Sequence, residues 1–127
     1  YLNQKTYNTF TILHTLDGYD EISLTGATKT ISNTTEGIIE ASDFGLEPLK
    51  ESEIAGGDSI AASAEIFMNI LNGKGTQAQQ NVVCANAGMA IATAQNLSPK
   101  EGFEKAKESL HSGKALKALK KLQELSK

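Results

Sequence analysis

His14-Thr15-Leu16-Asp17-Gly18-Tyr19-Asp20-Glu21-Ile22-Ser23-Leu24-Thr25-Gly26 crowds three carboxylates around a glycine-bearing turn between two short apolar stretches. Residues 10–13 on one side read as a buried strand and residues 22–24 on the other as a second, since short apolar and β-branched runs bounded by turn residues favour strands. The acids between them then fall on a strand-end loop, where α/β folds collect their sites. Asp20 and Glu21 are the leading functional candidates.

Outward from this stretch, residues 29–32 and 37–41 flank the turn-forming Asn33-Thr34-Thr35-Glu36 and predict a hairpin. From Asp58 the pattern becomes helical. Asp58 is the expected N-cap, Ile60, Ala64, Phe67, Met68 and Leu71 share one face, and Asn72-Gly73 ends the helix. A second helix is expected from near Thr76 through Gln95; its middle, residues 82–92, is small and apolar on nearly every side, which predicts a central, closely packed position. Ser98-Pro99-Lys100-Glu101 joins an N-cap serine, a proline at the first helical position and a glutamate at the third. Phe103, Ala106 and Leu110 should face inward on that helix. His111-Ser112-Gly113 breaks it, and a last helix sets Leu116, Leu119 and Leu122 on one side with Lys114, Lys117, Lys120 and Lys121 on others. The expected class is α/β, with short strands and a hairpin followed by about four helices, and there is no internal repeat.

With 127 residues and an ordinary apolar and charged content, the chain suits one globular unit with a real core. No apolar run approaches the roughly 20 residues that span a bilayer, and Tyr1-Leu2-Asn3-Gln4-Lys5 lacks the parts of a signal peptide. A cytoplasmic protein is expected. Cys84 is the lone cysteine, set in an apolar segment, and reads as a small core residue rather than a nucleophile. The chain starts without methionine and runs from polar residues straight into a strand, without the earlier strands and crossover helices usual in an α/β sheet. A piece of a longer protein is therefore expected.

All twelve basic residues are lysines, so no arginine is present to clamp a phosphate or carboxylate in bidentate fashion. Glycine-loop amides, lysines or a metal would have to hold a phosphorylated substrate, or a missing part of the polypeptide would supply the contacts. From Pro99 onward there are eight lysines and four glutamates, against four lysines and eleven acids before it. A nucleic-acid patch is one reading of this tail; lysines opposite a leucine stripe more commonly form a solvated helix face. Adjacent carboxylates on a loop can turn toward one hard cation and leave room for water and a phosphorylated substrate, which suits magnesium. On spacing alone the case is weak, since an acidic pair in a turn is more often solvated or caps a helix.

The string from Leu16 to Gly26 resembles the signature of the anthranilate phosphoribosyltransferase family. Asp43-Phe44-Gly45-Leu46 is similar to the family's segment after its hairpin, Gly56-Gly57-Asp58 to the start of its next helix, and Asn81-Val82-Val83-Cys84-Ala85-Asn86-Ala87 to its small-residue buried helix. The resemblance covers nearly the whole chain. It implies that residues 1–127 are the C-terminal segment of the α/β catalytic domain, of the nucleoside phosphorylase and phosphoribosyltransferase-like kind. The family's N-terminal helical domain, its Gly-Thr-Gly-Gly-Asp phosphate loop and its asparagine and arginine contacts to anthranilate are not in this sequence. One departure is Ala27, where proline is common in the family.

The implied activity is transfer of a phosphoribosyl group from phosphoribosyl pyrophosphate to the amino nitrogen of anthranilate, in tryptophan biosynthesis, with Mg2+ as cofactor. Asp20 and Glu21 match the family's acidic metal-binding pair and carry that role over as ligands rather than as a general acid and base. The implied assembly is a homodimer through the N-terminal domain, with no membrane or nucleic acid as partner, and the isolated chain should be inactive. Alternatives are a non-catalytic nucleic-acid-binding relative of the same fold and a related nucleoside phosphorylase. Asp17 reads as turn support, His14 as a hydrogen-bonded structural residue, and Ser23 and Thr25 as polar positions of a strand. Gly56-Gly57-Asp58 reads as a helix entrance, and Asn81 and Asn86 as partners of buried backbone groups.

Overall fold

The computed structural model describes residues 9–126. Its order is β1 (Thr11–Thr15), β2 (Thr28–Ser32), β3 (Glu36–Ile39), two short 3₁₀ turns (Ala41–Phe44 and Glu51–Glu53), then α1 (Ile60–Leu71), α2 (Gln77–Gln95), α3 (Pro99–His111) and α4 (Lys114–Leu125). This is an α/β arrangement.

The strands form one antiparallel sheet in the order β1-β2-β3, with Ile12 opposite Ile31, Thr15 opposite Thr28, and Lys29 opposite Ile38. Between β2 and β3 the expected hairpin closes through Ser32, whose N–H donates to the Thr35 carbonyl at 2.8 Å and whose hydroxyl accepts the Thr35 N–H at 3.0 Å. Alternation puts Thr11, Leu13, Thr15, Thr28 and Ile39 toward the helices and leaves Ile12, Ile31 and Ile38 exposed. The expected buried strand at 10–13 is thus half-buried, running from Thr11 to Thr15.

Residues 22–24 are buried but form no strand, which corrects the sequence reading. Leu24 takes a left-handed backbone, φ 61°, which a ladder does not accept. Its carbonyl accepts from the Leu49 N–H at 2.9 Å. Ile22, Ser23 and Leu24 still face inward, so the apolar run did mark the core although not the element.

The core joins Ile22, Leu24, Ala41, Phe44, Ile70, Cys84, Ala85, Met89, Phe103, Ala106 and Leu110. Phe44 and Phe103 meet edge to face with ring centroids 6.1 Å apart. The helix ends follow local signals. Thr76 caps α2 and Ser98 caps α3, each in a reciprocal capping box, and Gly113, φ 75°, separates α3 from α4. The N-cap of α1 is Ser59, one residue beyond the expected Asp58, its hydroxyl accepting the Ala62 N–H at 3.1 Å.

In α1 only Leu71 of the apolar face read from sequence packs inward; Ala64 and Met68 are exposed. Ile70 is buried and Ile66 and Leu71 are half-buried against the core, whereas Ile60 and Phe67 are exposed. The helix carries apolar residues on more than one side, so periodicity cannot choose between them. In α3, Phe103, Ala106 and Leu110 are buried as expected; in α4, Leu116 and Leu119 are half-buried and Leu122 is exposed. Among the described residues no helix is long and apolar enough to cross a membrane.

Candidate functional site

The turn that follows β1 is shaped by its own backbone. The Thr15 N–H donates to the Tyr19 carbonyl at 3.0 Å, the Gly18 N–H to the Thr15 carbonyl at 3.0 Å, and the Leu16 N–H to the Ala27 carbonyl at 2.8 Å. Gly18 has φ 102°, open to glycine and strained for other residues. Asp17 folds back over the turn, taking the hydroxyls of Ser23, at 3.3 Å, and Thr25. A Cβ on Gly26 would lie 2.9 Å from Asp17 Oδ2, so a side chain there would push the carboxylate aside. Asp17 is therefore turn support as expected, bonded to hydroxyls rather than to backbone amides. Ser23 and Thr25 serve it.

Asp20 and Glu21 lie just past this turn, both exposed. His14, at the end of β1, is also exposed, with Nδ1 3.7 Å from Asp20 Oδ1. Tyr19 reaches toward Glu51, hydroxyl to Oε1 3.5 Å; partial burial, then the negative charge of Glu51 and Asp17, pushes its phenol above the ordinary value.

Beneath the pair the backbone is held from two sides. The Thr15 hydroxyl donates to the Glu21 carbonyl at 2.5 Å, and Asn86 Oδ1 accepts the Ile22 N–H at 2.9 Å. Asn86 Nδ2 donates to the Ile22 carbonyl at 2.8 Å and to the Val82 carbonyl at 2.9 Å. Asn86 thus serves backbone groups of a buried segment, as its apolar setting suggested. Asn81 does not, since its Oδ1 accepts from the Gln77 side chain at 2.8 Å on the helix surface. Thr15 carried no signal in the sequence beyond strand propensity.

Among the described residues, no group of three or more His, Cys, Asp and Glu could hold a metal ion. Two adjacent, exposed carboxylates do not make a closed cage of the zinc or calcium kind. They could serve a hard cation that takes its other ligands from water and a phosphorylated substrate, the usual habit of magnesium. Cys84 takes no part: it is buried, and burial raises its thiol above the ordinary value.

Residues 2–116 match the model of the glycosyl transferase family, a/b domain. An anthranilate phosphoribosyltransferase of Christiangramia forsetii is 68% identical over 126 residues, which is 99% of this chain and 38% of that protein. The anthranilate phosphoribosyltransferase of Saccharomyces cerevisiae in complex with PRPP and Mg superposes with a TM-score of 0.76 at 30% identity, over 88% of this chain and 32% of that one. The same enzyme in complex with 4-fluoroanthranilate gives 0.77 at 27% identity, over 88% and 34%. The chain spans about 38% of the length of curated relatives from Christiangramia forsetii, Flavobacterium psychrophilum and Flavobacterium johnsoniae. With the family model matching from residue 2 to residue 116 over this fold, the chain belongs to the glycosyl transferase family through its a/b domain.

Proposed function

We propose that this chain is the C-terminal segment of the α/β catalytic domain of an anthranilate phosphoribosyltransferase. The remainder of the relatives' length would supply the helical domain, the glycine-rich phosphate loop and a homodimer contact. The proposed reaction moves phosphoribosyl from phosphoribosyl pyrophosphate to the amino nitrogen of anthranilate and releases pyrophosphate, as a cytoplasmic step of tryptophan biosynthesis. The observation that carries this reading is the Asp20-Glu21 pair on its exposed turn, in a chain 68% identical to an enzyme of that name.

In this reading Asp20 and Glu21 hold Mg2+, and their exposure leaves the outer coordination positions to water and phosphate oxygens. When bound, the metal neutralises charge that develops on the departing pyrophosphate. Asp17 does not join them, because it is occupied with Ser23 and Thr25 in shaping the turn. The chain has lysine but no arginine, so bidentate clamps on the substrate anions belong to the rest of the protein.

Two measurements test the reading. In the intact protein, Asp20→Asn with Glu21→Gln should raise the Mg2+ concentration needed for half-maximal turnover by at least about tenfold, the scale on which losses around a metal site are felt. Turnover by residues 1–127 alone, with both substrates and magnesium, should stay at background, since binding and orientation supply much of catalysis. An unchanged magnesium response would remove the ligand role, and activity of the isolated chain would remove the assignment as a segment.

A further inference from the structure

We infer that Thr15 and Asn86 are positioning residues for Asp20 and Glu21, acting through the one peptide unit that joins Glu21 to Ile22. The inference rests on the reading of that pair as the magnesium ligands. Both polar atoms of the unit are taken by side chains from elsewhere in the fold. Its carbonyl accepts the Thr15 hydroxyl at 2.5 Å and its N–H donates to Asn86 Oδ1 at 2.9 Å. Thr15 stands at the end of β1, and Asn86 lies on α2, 64 residues along the chain from Ile22. The peptide plane is therefore held between the sheet and the central helix.

Neither anchor has freedom to drift. Thr15 is fully buried, and its hydroxyl also meets that of Thr28 at 2.9 Å. The Asn86 amide can take only one orientation, because the Ile22 N–H can only donate while the carbonyls of Ile22 and Val82 can only accept. Its remaining bond, to Val82 one turn earlier, ties it to its own helix.

The carboxylates depend on that plane for their direction. Asp20 and Glu21 are both exposed, so burial does not orient them. Asp20 has His14 Nδ1 at 3.7 Å from its Oδ1; for Glu21 what remains is the path of its Cα–Cβ bond, set by the flanking peptide units, of which 21–22 is one. A rotation of the 21–22 peptide would swing the Glu21 side chain and turn the pair out of register. Magnesium tolerates this poorly, since it demands near-octahedral oxygen ligands at about 2.0–2.1 Å. Groups that orient ligands in this way typically matter by about 10–100-fold in metal affinity.

A purely structural role would be different: Ile22 is buried outside any strand, its polar backbone needs partners, and their loss would cost stability alone. The experiment separates the two in the intact protein. Thr15→Val removes the hydroxyl at nearly constant shape, Thr15→Ser restores it, Asn86→Ala removes the second anchor, and Asp20→Asn with Glu21→Gln is the reference. Three quantities are read: the Mg2+ concentration for half-maximal turnover against kcat at saturating Mg2+, the Kd of Mn2+ by water-proton relaxation with and without phosphoribosyl pyrophosphate, and Tm.

Thr15→Val and Asn86→Ala should each weaken Mg2+ and Mn2+ about tenfold, with kcat at saturating metal changed about threefold at most and Thr15→Ser close to the parent. Should Asn86→Ala not fold, the Thr15→Val and Thr15→Ser pair decides. A lowered Tm with unchanged metal affinity in Thr15→Val overturns the inference and leaves the ligand reading intact. Unchanged Mn2+ binding in the Asp20→Asn and Glu21→Gln reference overturns both, so the two failures are distinct.

Discussion

Gly102→Ala should destabilise the protein even though it replaces a glycine inside a helix by the best helix former. A Cβ at Gly102 would lie 2.2 Å from the Gly88 carbonyl oxygen and 3.0 Å from Ala92 Cβ. Carbon–oxygen contacts across helix interfaces run at about 3.3–3.6 Å, so α3 must move away from α2 by about 1 Å. The nearest atom in the way, the Gly88 carbonyl oxygen, belongs to backbone and cannot rotate aside. Next to Gly102, Phe103 is buried against Phe44, so a shift of α3 opens that contact too. Overpacking of this kind costs about 3 kcal/mol at the upper end of the common range. Helix propensity returns about 1 kcal/mol. The net loss is about 2 kcal/mol, or about 8 °C in Tm for a chain of this size. Urea unfolding followed by helical circular dichroism measures it as a lower midpoint at unchanged slope. Gly56→Ala is the control: nothing lies within 4 Å of its Cβ position, so it should be neutral or slightly stabilising. If Gly102→Ala matched or exceeded the parent in stability, close backbone approach would not be what holds α2 to α3.

Other consequences are equally direct. The Ser98 backbone N–H and hydroxyl donate to Glu101, and these bonds hold its carboxyl below the ordinary glutamate value. A depressed pKa gives stability that is complete above the unfolded value and lost as pH falls through the folded one; Glu101→Gln should therefore flatten the acid limb of Tm against pH. Glu108, lowered by its bond to Lys114 at 2.9 Å, should behave alike, and Lys114→Met should remove its share. Ser98→Ala should cost about 1 kcal/mol at neutral pH through loss of the N-cap. Cys84, buried with a raised thiol, should react with a disulfide reagent only as fast as the protein unfolds, and rapid labelling of the folded state would contradict its placement in the core.

Much of this was legible because the signals are local. Thr76, Ser98 and Gly113 act within one turn of themselves, so the limits of α2, α3 and α4 follow from neighbouring residues. The β2–β3 hairpin follows in the same way from Asn33-Thr34-Thr35. The candidate site also declared itself by composition, since Asp20, Glu21 and the glycines around them need no distant partner to be noticed.

What only the tertiary structure decided is whatever depends on partners far along the chain. Residues 22–24 have the composition of a strand, yet their polar backbone is served by Asn86, 64 residues away, and by Leu49 rather than by a neighbouring strand. In α1 apolar residues occupy more than one side, and packing of Ile66 and Ile70 onto the core chose the inward face. The anchoring of the Glu21–Ile22 peptide by Thr15 and Asn86 belongs here too. A backbone hydrogen bond is obligatory once its group is buried, but nothing in the local sequence says which side chain will make it.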